Sequence, residues 1–148
     1  MIVVRSLAQT TVEATMTSRW AVLAIDALDP ARVADFWCEV LGWQVREVDD
    51  AGICIGPTDG AWPTIDVFSV PERKTVKNRL HLDLRADGST TEVELARLLD
   101  LGATPVDVGQ ADDATWVVLS DPEGNEFCLL SRSVQELPDD QHDPADRD

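Results

Sequence analysis

An order of elements that occurs twice constrains this chain more than anything else in it. Trp20-Ala-Val-Leu-Ala-Ile25 reads as a strand, and Asp29-Pro30 then opens a helix, with Asp as N-cap and Pro at the first helical position. Val33, Phe36, Trp37, Val40 and Leu41 recur at helical spacing as one apolar stripe, and Gly42 closes the helix as a left-handed cap. Strand-like runs at 43–48, 52–56 and 62–70 follow, separated by turn residues at 49–52 and 56–60. The order then starts again. Leu80–Arg85 alternates as a strand, and Ser89-x-x-Glu92 reads as a capping box. Leu95, Leu98 and Leu99 share a helix face, Gly102 ends it, and runs at 103–108, 114–120 and 125–131 supply three more strands. Gly42 and Gly102, each preceded by a leucine, lie 60 residues apart. The pattern predicts an α+β domain of two βαβββ modules, residues 20–70 and 80–131, joined by the polar segment 71–79. The alternative is one α+β domain whose halves only look alike.

At 148 residues the chain has the size of one domain and can bury a core without a disulfide or metal staple. The flanks differ from the middle. Residues 1–19 read as an unpacked extension, with Met1 and Met16 both candidate starts. Residues 132–148 form an acidic tail with little to bury, expected to be disordered, and His142 within it is discounted. Lys and Arg number 12 against 28 Asp and Glu, a net charge of −16, which argues against nucleic-acid and anionic-membrane partners. Setting aside residues 135–148 (net −5) and 1–19 (net +1) leaves −12 on the body, so the acidity is not only in the tail.

Cys38, Cys54 and Cys128 are an odd number, show no CxxC spacing, and have apolar neighbours. They read as reduced thiols used as small hydrophobes, which makes a cytoplasmic location the expectation. No apolar run is long enough to span a bilayer, and the N-terminus lacks the long apolar stretch of a signal peptide.

Three stretches carry a resemblance: Asp29-Pro30…Phe36-Trp37…Leu41-Gly42-Trp43, then Asn78-Arg79-Leu80-His81-Leu82-Asp83, then Trp116…Asp121-Pro122-Glu123-Gly124-Asn125-Glu126-Phe127-Cys128. With the doubled βαβββ order, they resemble the vicinal-oxygen-chelate superfamily of glyoxalase and bleomycin-resistance proteins, and most of all its actinobacterial glyoxalase-like branch. The resemblance covers residues 20–131. It implies two cupped mixed sheets around a central cavity, helices on the convex side, and a homodimer. Many members hold a divalent metal through one His, Gln or Glu from each of four strands.

Strand parity tests that metal site. Alternation in Leu80–Arg85 sends the leucines to one side and His81, Asp83 and Arg85 to the other, the cavity side if leucines face the helix. His81 matches the family's ligand position. Val22 falls at the ligand position of the first strand and cannot coordinate, and Cys128 falls at that of the last strand. In the fourth strand Asp66 and Phe68 share a face, and only Asp66 has a donor. One His with an Asp and a Cys falls short of a glyoxalase-type quartet, so a divalent metal is disfavoured though still open, and no other cofactor is called.

By the same parity Asp26, Asp66, His81, Asp83, Glu126 and Cys128 point into the cavity, where His81 beside carboxylates could act as acid or base or simply satisfy a polar layer. Trp62, Phe68 and Trp116 offer flat apolar walls for a small ligand, or else ordinary packing. The basic cluster Arg73, Lys74, Lys77 and Arg79 reads as a solvated linker, with an anion site as the alternative. Glu123-Gly124-Asn125 reads as turn residues. The leading expectation is a small-molecule-binding protein, metal-independent or with a degenerate metal site, sequestering a cationic or aromatic ligand. A metal-dependent lyase, isomerase or dioxygenase using His81 is the alternative, and a regulatory domain with a vestigial cavity the third reading.

Overall fold

The computed structural model describes residues 17–138, so the expectations for residues 1–16 and for the tail from 139 onward lie outside the described residues. Within them the doubled order is present. The first module runs β1 (Val22–Ala27), α1 (Pro30–Leu41), β2 (Gln44–Val48), β3 (Gly52–Gly56) and β4 (Thr64–Ser69). The second runs β5 (Asp83–Leu84), α2 (Thr91–Asp100), β6 (Thr104–Pro105), β7 (Trp116–Ser120) and β8 (Glu126–Leu130). Each module folds into a four-stranded sheet of the same topology, β1-β4-β3-β2 and β5-β8-β7-β6. In both sheets the first strand lies parallel to the fourth and the remaining pairs are antiparallel.

Helix α1 forms where local chemistry places it. The Asp29 side chain accepts the Arg32 N–H, Pro30 sits at the first turn, and Gly42 takes φ +64°. Val33, Phe36, Trp37 and Val40 are all buried, packed over Ile55, Ile65 and Val67 from the same face of β3 and β4. In the second module Leu98 is fully buried, Leu95 packs against the same core, and Leu99 is 39 % exposed. The two modules share one apolar core, in which Trp37 meets Phe127 of β8 edge to face at 5.2 Å between ring centres.

The second module also holds both ends of α1. The Glu123 carboxylate, in the turn between β7 and β8, accepts the N–H groups of Leu28 and Asp29 at 2.7 and 2.6 Å. At the other end, Arg97 of α2 donates to the carbonyls of Glu39 and Val40, each at 3.0 Å. An anion at the N-terminus and a cation at the C-terminus both complement the helix dipole. Between them the Trp37 indole donates to Asp121, which is buried and also accepts the Glu123 and Asn125 N–H groups.

Several boundaries differ from expectation. Strand β1 covers 22–27 rather than 20–25, the stretch that lies in register with β4, from Val22 opposite Thr64 to Ala27 opposite Ser69. Strand β5 shrinks from 80–85 to Asp83–Leu84, and its register, Asp83 opposite Cys128, sets residue 80 opposite Asn125, in the hairpin turn and beyond the start of β8. Leu80 is accordingly 88 % exposed instead of packing on the helix. Strand β6 is only Thr104–Pro105. Helix α2 is capped one residue later than read: Thr90, not Ser89, accepts from Val93 N–H, which leaves Glu92 and Glu94 in the first turn.

Candidate ligand-binding site

The register of the second sheet builds the site. Asp83 pairs with Cys128 and Cys128 with Val118, so these three side chains stand in one row on the face turned away from the core. Glu126, two residues before Cys128, projects on the same side, and so does Trp116, two residues before Val118. His81 arrives from the segment before β5. Together with Leu130 and Lys77 these residues line a hollow of about 410 Å³.

At its floor the His81 Nδ1 lies 3.1 Å from Asp83 Oδ1 and 3.8 Å from Cys128 Sγ. Burial first, and the Asp83 carboxylate second, push the Cys128 thiol up to about 11. The thiol is therefore protonated near neutral pH, and it faces the same imidazole nitrogen that Asp83 occupies. A relay would need the two partners on opposite ring nitrogens, so this arrangement is not wired as a nucleophile with its base.

Glu126 has a different role from the one expected of a free cavity carboxylate. The Lys74 ammonium reaches Oε1 at 2.9 Å, and the Asn78 N–H reaches Oε2 at 3.0 Å. Burial works to raise the Glu126 carboxyl, but these donors outweigh it and hold it below the usual carboxylate range. The linker is thus not simply solvated, since Lys74 is drawn onto the site.

A second hollow, of about 570 Å³, opens between β1 and the second module. Its floor includes Leu23, Ile25, Leu82 and Phe127, and its rim carries Asp26 and Arg79. His81 and Glu126 line both hollows and form the ridge between them. Five of the nine expected ligand-binding residues (His81, Asp83, Trp116, Glu126 and Cys128) therefore meet around the smaller hollow, with Asp26 across the ridge.

Trp62, Asp66 and Phe68 line neither hollow. Asp66 and Phe68 do share a face of the first sheet, beside Cys54 and Asp26, as parity requires. That face meets the larger hollow only along its β1 edge, at Ala24 and Asp26. One Asp66 oxygen, Oδ1, is buried there with no hydrogen-bond partner among the described residues. Burial, then the adjacent Asp66, push the Cys54 thiol up. Trp62 is 61 % exposed, with the Arg19 guanidinium 5.7 Å from its ring centre.

The four-strand metal quartet implied by the resemblance is not met. Val22 offers no donor, and Asp66 lies on the other sheet's face. What the second sheet does hold is a three-donor group, His81, Asp83 and Cys128, with one ligand atom from each lying within 4.8 Å of the others. The group offers three donors, all from the second module, with His81 and Asp83 already bonded to each other, and so falls short of a site with one ligand from each of four strands. Lys74 and Asn78 were missed as site residues. Only their chemistry, a cation and a backbone donor in a linker, was visible in sequence, not the carboxylate some fifty positions away that they serve.

Comparison with known proteins agrees with this architecture. A search of curated proteins gave no match. Among solved structures, the fosfomycin resistance protein FosX from Mesorhizobium loti superposes with a TM-score of 0.59 at 11 % identity, over 82 % of this chain and 98 % of that one. TnmS3, an antibiotic binding protein from Streptomyces sp. CB03234, gives 0.55 at 18 % identity, over 81 % and 100 %. The oxidase ChaP-H2 gives 0.57 at 19 % identity, over 79 % and 95 %. Likeness at such identities speaks to the fold, and these three neighbours already differ in what their names describe. The family model for a glyoxalase-like domain matches residues 22–130, nearly the whole of the two modules. The chain therefore belongs to the glyoxalase-like domain family of the vicinal-oxygen-chelate superfamily.

Proposed function

We propose that this protein binds a small cationic or aromatic molecule in the hollow over its second sheet, without a metal, and sequesters it rather than transforming it. One observation carries the reading: Trp116, 43 % exposed, stands with Val118 and Leu130 around the polar group His81 and Asp83. An apolar wall with few convergent polar groups is what a small-ligand pocket needs. Asp83 and Cys128 face the same His81 nitrogen, an arrangement that favours holding over nucleophilic chemistry. The −12 body would hasten encounter with a cation. Binding a small molecule is also what the name of TnmS3, an antibiotic binding protein, describes for that protein.

The test is titration with benzamidine and proflavine, and with neutral benzamide as control, read by thermal shift and by tryptophan fluorescence. The reading expects the cations to raise the melting temperature and a Trp116→Phe variant to lose the fluorescence response. If neither cation stabilises the protein at millimolar concentration, the reading fails. A homodimer and a cytoplasmic location accompany the proposal; light scattering and imaging of the tagged chain check them.

The three-donor group favours a second reading, a metal-dependent enzyme using His81. Stoichiometric zinc, nickel, manganese or iron in protein purified without chelator, and lost in His81→Ala, would establish it over the first.

A further inference from the structure

Residues 71–80 cross the mouth of the site as a strap. Neither helix nor strand is formed between Ser69 and Asp83. Two apolar side chains on the strap, Val76 and Leu80, are 76 % and 88 % exposed, so packing does little to seat it. Among the described residues, the hydrogen bonds from this segment to the rest of the fold all end on one carboxylate, Glu126, through Lys74 Nζ and Asn78 N–H. That carboxylate is the ridge shared by both hollows.

The form of the contact is informative. One donor addresses each oxygen, at 2.9 and 3.0 Å, which is the forked pattern by which an amidinium or guanidinium recognises a carboxylate. We propose that Glu126 is the receptor for the positive group of the ligand, and that Lys74 and Asn78 occupy it as an internal stand-in which an amidinium- or guanidinium-bearing molecule displaces. The inference rests on the reading above that the hollow binds a small cation.

The exchange is physically balanced. A Lys ammonium is strongly hydrated on a flexible stem and returns readily to water, and the Asn78 N–H can take a water in its place. Glu126, by contrast, is well buried, with only 10 % of its side chain exposed, so it would not be left unpaired at low cost. A ligand cation restores its partner, and the strap is released as the ligand binds. The ring attached to that cation then lies toward Trp116, in the hollow over the second sheet.

Benzamidine is the probe. Competition by the strap lowers apparent affinity in proportion to the fraction of Glu126 left free, so Lys74→Ala should bind benzamidine about 5- to 10-fold more tightly than the parent protein. Lys74→Gln should do the same if truncation disturbs the fold, and Glu126→Gln should bind at least about 10-fold more weakly than the parent. In the parent protein, the Asn78 amide cross-peak should move on benzamidine addition and stay in place with benzamide. Equal or weaker binding by both Lys74 variants overturns the stand-in while leaving cation binding intact. Binding by neither the parent nor the variants overturns both proposals. Tighter binding by the variants together with an unmoved Asn78 amide also overturns the stand-in, since the displaced donor would not have left.

Discussion

The Glu123 carboxylate accepts the Asp29 N–H at 2.6 Å, across 94 residues of sequence, and so ties the start of α1 to the opposite module. Replacing Glu123 by Gln keeps the shape and removes the charge at the helix N-terminus. The expected cost is about 1 kcal/mol, read as a fall of roughly 3–6 °C in melting temperature. Arg97→Met acts at the far end of α1, roughly 18 Å away, and the two losses should add to within about 0.5 kcal/mol. A large coupling energy in the double variant would mean that the ends are not independent anchors.

Trp37 is 2 % exposed and touches Phe36 and Phe127 as well as Asp121. Trp37→Ala should destabilise by about 3–5 kcal/mol through the cavity it leaves. Trp37→Phe should cost much less, because Asn125 still donates to Asp121 Oδ2 at 2.8 Å. Chemical denaturation with circular dichroism distinguishes the two, and a similar loss in both would make the indole N–H, not its bulk, the important part.

The lowered Glu126 carboxyl has a definite sign in pH dependence. Its folded value lies below its unfolded one, so its stabilisation is present above the unfolded range and is lost as pH falls through the folded value. The stability gap between the parent protein and Glu126→Gln should be largest near neutral pH and close as pH drops below about 4. A gap that stays constant down to that range would place the interaction elsewhere.

The Cys128 thiol at about 11 should alkylate slowly. In a Cys38→Ser, Cys54→Ser background at pH 8, iodoacetamide should react on the order of 100-fold more slowly than with the unfolded chain, from thiolate population alone. Asp83→Asn removes the second cause of the shift and should speed the reaction severalfold. Reaction as fast as in the unfolded chain would remove the argument against a Cys128 nucleophile.

The features legible in sequence were those whose cause lies within a few residues. Helix α1 was readable end to end because Asp29, Pro30 and Gly42 act on their own neighbours. The pairing of Asp83 with Cys128 was readable because parity along two strands puts both on one face, and His81 joins them although it lies just before β5. Strand β5 was not, since its length depends on where the hairpin before β8 releases a partner. The grouping of Trp62, Asp66 and Phe68 with the others failed for a related reason. Parity placed Asp66 and Phe68 on the right face of their own sheet, but it says nothing of how one sheet stands relative to the other. Lys74 and Glu126 illustrate the same limit, as a linker charge gives no sign of which carboxylate it will meet.

The paired grip on α1 bears on whether the protein can be divided. A fragment ending near residue 70 would contain every residue of that helix and the sheet beneath it, yet neither Glu123 nor Arg97, nor the Phe127 ring against Trp37. Duplicated as they are in order, the halves are not interchangeable parts. They should melt as one, and two separately produced halves should recover structure only when mixed.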